Sequence, residues 1–222
     1  MPDPSAFLPG LLLVATAVVL VWFTFGTQRN IRRGNRLLAW LQDGLPELGP
    51  RTTLRWLGSS VAELQIVAPR APYRDALVMV VLEPRDLGAV WALSRSRGRR
   101  DFLVLRLSLV RAPRLRADLV HPGAWTASDR RPDEPEPQQR ESWTDAAGRA
   151  VDVSHDGDGD VATLHSHWDR LSSLSGGAWR VSIRPTVPHL EIHLLPPPDT
   201  DAASARNLLR EVSALAKAVA AP

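Results

Sequence analysis

The chain has 222 residues, of which 44% are hydrophobic and 23% charged, the proportions of a folded globular protein. Cysteine is absent, which excludes disulfide scaffolds, zinc–thiolate sites, iron–sulfur clusters and cysteine nucleophiles. The formal net charge is only +3, and Lys217 is the single lysine among 27 basic residues. That skew reads as compositional bias, so nucleic acid is not expected as a partner.

No charged residue occurs from Pro4 to Gln28. A membrane span needs about 20 predominantly apolar residues at 1.5 Å per residue, and residues 7–27 meet that requirement. The leader carries only Asp3, and the run ends in bulky Trp22 and Phe23 rather than in small residues. This is an anchor pattern, not that of a cleaved signal peptide. Arg29, Arg32, Arg33 and Arg36 follow the span and no arginine precedes it. The positive-inside rule then predicts a short outside tail over residues 1–6 and a cytoplasmic C-terminal domain. The same four membrane-proximal arginines suit anionic headgroups.

Residues 28–50 read as a basic juxtamembrane segment leading into an amphipathic helix over 35–48, with Leu37, Leu38, Leu41, Leu45 and Leu48 on one face. Residues 51–222 form the expected cytoplasmic domain. Strands are predicted over 52–57 and 61–67, joined by a turn at Gly58, and over 76–82. A helix over 87–96 follows, with Asp86 as its N-cap and Leu87, Val90, Trp91 and Ser94 along one side. Residues 102–110 alternate Leu103, Leu105, Leu107 and Leu109 against Arg106 and Ser108, a strong strand.

Residues 127–160 hold ten acidic and four basic side chains. An exposed acidic, Pro-rich loop is expected over 127–142, with one or two short strands around Gly148. An amphipathic helix carries Leu164, Trp168, Leu171 and Leu174. Two alternating strands over 179–184 and 189–194 flank a four-residue loop. A last helix, capped by Asp199, Thr200 or Asp201, carries a stripe of Ala205, Leu208, Leu209, Val212, Leu215, Ala216 and Val219. The expected class is α+β: a single N-terminal transmembrane helix, then a mostly antiparallel sheet with helices packed on one face. A duplication of two helix–strands–helix halves is a further possibility, without residue-level self-similarity.

Four constellations bear on chemistry. His165-Ser166-His167-Trp168-Asp169 resembles, over about six residues, the H-x-H-x-D-H motif of metallo-β-lactamase fold hydrolases, where such ligands hold zinc. That resemblance implies a metal-dependent hydrolase using His165, His167 and Asp169. Arg170 stands at the final histidine of the motif, however, and only 52 residues follow. The helical alternative pairs His165 with Asp169 on the solvent side. Asp156, Asp158 and Asp160 open like a calcium loop, but Val161 and His167 stand where an EF-hand needs Gly and Glu. Arg95, Arg97, Arg99 and Arg100 cluster at a helix C-terminus and suit a membrane-facing basic patch. On the last hairpin, the loop length sets Arg184 opposite His189, Ser182 opposite Glu191 and Arg180 opposite His193. Arg180, Arg184, His189, Glu191 and His193 are thus either a charged solvent face or a polar recognition patch.

No phosphate-binding glycine loop and no nucleophile elbow occurs. The sequence therefore points to a membrane-anchored accessory or tethering module with a protein partner, the lipid bilayer as its surface and no cofactor. Its rivals are the metal-dependent hydrolase and an extracytoplasmic anchored binding domain.

Overall fold

The computed structural model describes residues 8–125, 139–156, 161–200 and 203–220. α1 (Leu8–Gln42) is one uninterrupted helix of 35 residues, about 52 Å long at 1.5 Å per residue. Its first half is exposed, including Leu11, Val14, Val18, Val21 and Phe25. With a mean hydropathy of 2.1, it is long and apolar enough to cross a membrane. Its last turns bury Leu37, Leu38, Trp40 and Leu41 in the core.

A separate helix over 35–48 does not form. α1 runs through to Gln42, and Gly44 and Pro46 convert the remainder into a 3-10 turn over Leu45–Glu47. The expected face survives, because Leu45 and Leu48 are buried beside the others.

β1 (Arg51–Leu57), β2 (Val61–Val67) and β3 (Tyr73–Val81) precede α2 (Gly88–Ser96) and β4 (Phe102–Leu109). Then come β5 (Arg116–Val120), β6 (Gln139–Thr144), β7 (Ala150–Asp156), α3 (Val161–Ser173), β8 (Ala178–Ile183), β9 (Leu190–Leu194) and α4 (Ala205–Ala220). All nine strands join one antiparallel sheet in the order β1-β2-β3-β4-β9-β8-β5-β7-β6. The fold is α+β, as the alternating patterns predict. Gly58, at φ +74°, closes the first hairpin and sets Leu57 opposite Val61.

Several expectations are corrected. β5 is absent from the sequence-based assignment. β6 begins at Gln139, so the end of the expected loop over 127–142 is strand; residues 126–138 lie outside the described residues. The five later strands do not repeat the meander order of the first four. Asp86 does not cap α2: its carboxylate accepts the Ser59 hydroxyl at 2.6 Å, and Leu87 at the cap offers no side-chain bond. α4 is capped by Ser204, whose hydroxyl accepts the Asn207 N–H at 3.3 Å. Asp199 and Thr200 lie too far upstream for that role, and Asp201 is outside the described residues.

One face of the sheet carries the core. Leu164, Trp168 and Leu171 of α3, the α4 stripe and the end of α1 pack on Leu103, Leu105, Leu107, Val181 and Ile192. The other face carries a smaller cluster of Phe102, Val104, Ala124 and Trp179, flanked by Met79, Val81 and Leu195. β8 is therefore buried at every position.

Candidate functional site

Two polar assemblies stand out, one where α1 meets the sheet and one on the far face of the sheet. The first begins with a close approach. A Cβ at Gly26 would lie 2.2 Å from the Arg85 carbonyl oxygen, so only glycine lets α1 seat against the β3–α2 connection. Trp22 Nε1 donates to that same carbonyl at 3.1 Å and its ring packs tilted on Trp91, centroids 6.4 Å apart. Gly26→Ala is expected to destabilise the chain by about 1–3 kcal/mol, measured by denaturant unfolding in detergent. Helix propensity alone predicts the opposite sign, a gain of about 1 kcal/mol. A stabilised variant would show that the contact yields freely.

One turn further along, Asn30 is fully buried. Its amide donates to the Glu83 carbonyl at 3.0 Å and its Oδ1 accepts from Arg85 at 3.1 Å. Arg85 makes two bonds to Asp101, at 2.9 and 3.0 Å. Asp101 also accepts the Glu83 backbone N–H at 2.9 Å and lies 3.5 Å from Arg33. The Glu83 carboxylate, itself buried, accepts from Trp91 Nε1 and from Arg95 at 3.0 Å. The two buried carboxylates, Glu83 and Asp101, are thus paired with arginines and hydrogen-bonded, the condition under which burial of charge is tolerated. Sequence reasoning missed this network. Its one visible signal is Glu83 directly after a continuous apolar run.

The four membrane-proximal arginines divide by partner. Arg33 turns to Asp101, while Arg29, Arg32 and Arg36 are exposed. All four line one groove of about 510 Å³ with Phe25, Gln28, Arg85 and Asp101. The second basic cluster is also divided: Arg95 pairs with Glu83, and Arg99 lies over the Trp125 ring at 4.8 Å. α2 buries no side chain; Leu87 and Val90 of its expected inner face are exposed, while Gly88 and Trp91 both lie against Trp22 of α1.

On the far face, the expected register holds: Arg180 opposes His193 and Ser182 opposes Glu191, and the Arg184 N–H bonds to the His189 carbonyl at 2.8 Å. The expected exposure does not. Arg180, Ser182, Arg184, His189 and His193 are all buried, and the neighbouring strands bring polar side chains beside them, Asp118 from β5 and Arg106 from β4. This is a buried polar layer, which corrects the reading as a charged solvent face. Arg180 makes two bonds of 2.9 Å to Asp118, and Ser182 donates to the same carboxylate at 2.9 Å. His189 Nδ1 accepts the Leu109 N–H at 2.8 Å. His193 Nε2 lies 2.8 Å from Glu191, which also meets Arg106 at 3.3 Å.

Burial alone would raise the Glu191 carboxyl. The His193 bond and the charges of His193, Arg106 and Arg184 outweigh it and bring the group from 4.5 down to about 2. A depressed carboxylate contributes stability that is present above its ordinary value and is lost as pH falls from 4.5 toward 2. Glu191→Gln is expected to lower stability at neutral pH by about 1–2 kcal/mol, the shift being discounted for solvent screening of a partly buried group, and to flatten the profile below pH 4.5. Urea midpoints across that range check this; an unchanged acid limb would place the loss on other carboxylates.

The histidine motif is split by its own helix. His165 stacks on Trp143 at 4.5 Å and meets Asp169 at 3.5 Å on one side of α3. His167 points to the other side and bonds to Glu211 of α4 through Nδ1. His165 and Asp169 are brought together and His167 is not, because side chains two residues apart on a helix do not share a face. Among the described residues, no group of three His, Cys, Asp or Glu is placed to hold a metal ion. Asp156 ends β7 and pairs with Arg116 at 3.6 Å; residues 157–160 of the acidic turn lie outside the described residues.

No family model matches the chain, and no curated protein matches it in sequence.

Proposed function

We propose that the chain is a single-pass protein of the cell membrane, with its N-terminus outside and its α+β domain in the cytoplasm. The domain acts there as a non-catalytic accessory or tethering module that binds a protein partner. One observation carries this reading: the apolar helix continues without a break into the hydrophobic core, where the Asn30–Glu83–Arg85–Asp101 network holds it. A span joined to a domain without a flexible linker holds that domain at a fixed height and tilt, which suits positioning of a partner. The arginines directly after the apolar run support the orientation.

The test has two parts. Reporters that work on only one side of the membrane, fused after Pro222, give the orientation; activity on the outer side alone rejects the cytoplasmic assignment. Purification of the C-terminally tagged chain from native membranes in mild detergent, followed by mass spectrometry, tests for a partner. A reproducible stoichiometric partner supports tethering. A chain that elutes alone at full yield counts against it.

A further inference from the structure

The groove lined by the arginines does not stop at Phe25. It continues toward the N-terminus as a larger, mostly apolar groove of about 910 Å³ between α1 and α2, walled by Leu13, Ala17, Val21, Trp22 and Trp91. The two share Phe25, Arg29 and Arg85, so one slot changes along its length from apolar to basic. The change falls where the apolar run of α1 ends. From Leu13 to Phe25 the apolar part spans about 18 Å at 1.5 Å per residue, close to one leaflet of a hydrocarbon core about 30 Å thick.

α2 occupies the matching level. It touches α1 through Trp22 and Trp91, while Leu87, Val90 and Leu93 are each about half exposed and point away from the domain core. Exposed apolar side chains on a short helix beside the end of a span belong in the headgroup–acyl boundary. Arg29, Arg32 and Arg36 form no ion pair with any described carboxylate. A second protein helix laid in the apolar part would leave them without counter-charge. A neutral lipid would leave them partly compensated at best.

We infer that this slot binds one anionic phospholipid of the leaflet that faces the domain. The phosphate-bearing headgroup lies among Arg29, Arg32 and Arg36, and an acyl chain lies along Leu13–Phe25 against Trp91. Basic pockets beside spans recognise such headgroups by charge-assisted hydrogen bonds. The inference rests on α1 spanning the bilayer, in either orientation.

The full-length chain, purified in mild detergent, would be mixed with equal amounts of dioleoylphosphatidylglycerol and dioleoylphosphatidylcholine and examined by native mass spectrometry. One retained phosphatidylglycerol per chain is expected, favoured over phosphatidylcholine by about tenfold or more, since each arginine near a headgroup contributes about fivefold. Arg29→Gln, Arg32→Gln and Arg36→Gln together should remove the preference, and the corresponding lysine triple should keep most of it. Ala17→Trp with Val21→Trp fills the apolar part without touching an arginine, and should abolish retention of both lipids. Equal retention of the two lipids by the unmodified chain overturns the inference. So does a preference that survives the groove-filling pair, or one displaced by free glycerol phosphate, because the arginines then bind a phosphate without a chain. Alkaline carbonate treatment of native membranes separates the two levels. Release of the chain rejects the span itself, whereas a retained chain without lipid preference rejects only the slot.

Discussion

Asp101→Ala is expected to lower the stability of the folded chain by about 3 kcal/mol and to loosen α1 from the sheet. Removing one partner of a buried ion pair typically costs about 3–5 kcal/mol, because the other charge is left desolvated and unpaired. Here Arg85 would lose both of its bonds to Asp101, and the Glu83 N–H would lose its acceptor. Arg85 keeps Asn30 at 3.1 Å and the Glu83 carboxylate at 3.6 Å, which places the expected cost at the lower end. Denaturant unfolding of the full chain in detergent gives the magnitude. Trypsin digestion gives the second readout: cleavage within residues 29–36 should accelerate, since a helix released from the sheet unwinds more readily and presents its backbone to the protease. Unchanged cleavage with reduced stability would mean that the network supports the sheet but does not hold the helix.

Trp168→Ala is expected to cost about 4 kcal/mol, the range for truncating a large buried aromatic side chain. Trp168 is 1% exposed and sits where α3 meets the core beneath the sheet. Trp168→Phe should cost far less, about 1 kcal/mol. Its indole Nε1 is buried with no hydrogen-bond partner among the described residues, so the smaller ring removes a desolvated donor while it opens a small cavity. A Phe variant as damaged as the Ala variant would show that shape at this position, not the buried donor, dominates. Both values come from urea midpoints compared at a common slope.

The elements written in short-range periods were legible. The strands at Val61–Val67 and Ala178–Ile183 and the stripe on α4 follow from period two or 3.6, and the apolar N-terminal helix from an unbroken apolar run; all are properties of one backbone segment. β5 was missed although Leu115, Ala117 and Leu119 alternate with Arg116 and Asp118. Its five residues lie just after an arginine-rich stretch whose charge masked the period. The helix join at residues 28–34 was missed because five basic or polar residues there look like a boundary, whereas in the fold Asn30 and Arg33 bond to the distant Glu83, Arg85 and Asp101. The histidine string looked like a ligand set along the chain, yet α3 rotates His167 away from His165 and Asp169.

The sequence by itself determined an N-terminal helix long and apolar enough to cross a membrane, the basic residues that follow it, the α+β class and which side of most strands is apolar. Tertiary structure alone decided whether a polar side chain is solvated. Arg180 and Arg184 alternate with apolar neighbours as an exposed face would, but Asp118 arrives on an adjacent strand from 62 residues away and the layer is buried. Asn30 and Glu83 are likewise ordinary in isolation and become a buried lock only when α1 lies across the end of β3. Local patterns report backbone geometry, and a single strand carries that. Burial of charge depends on which distant segment supplies the counter-charge, and only strand order and helix docking determine that partner.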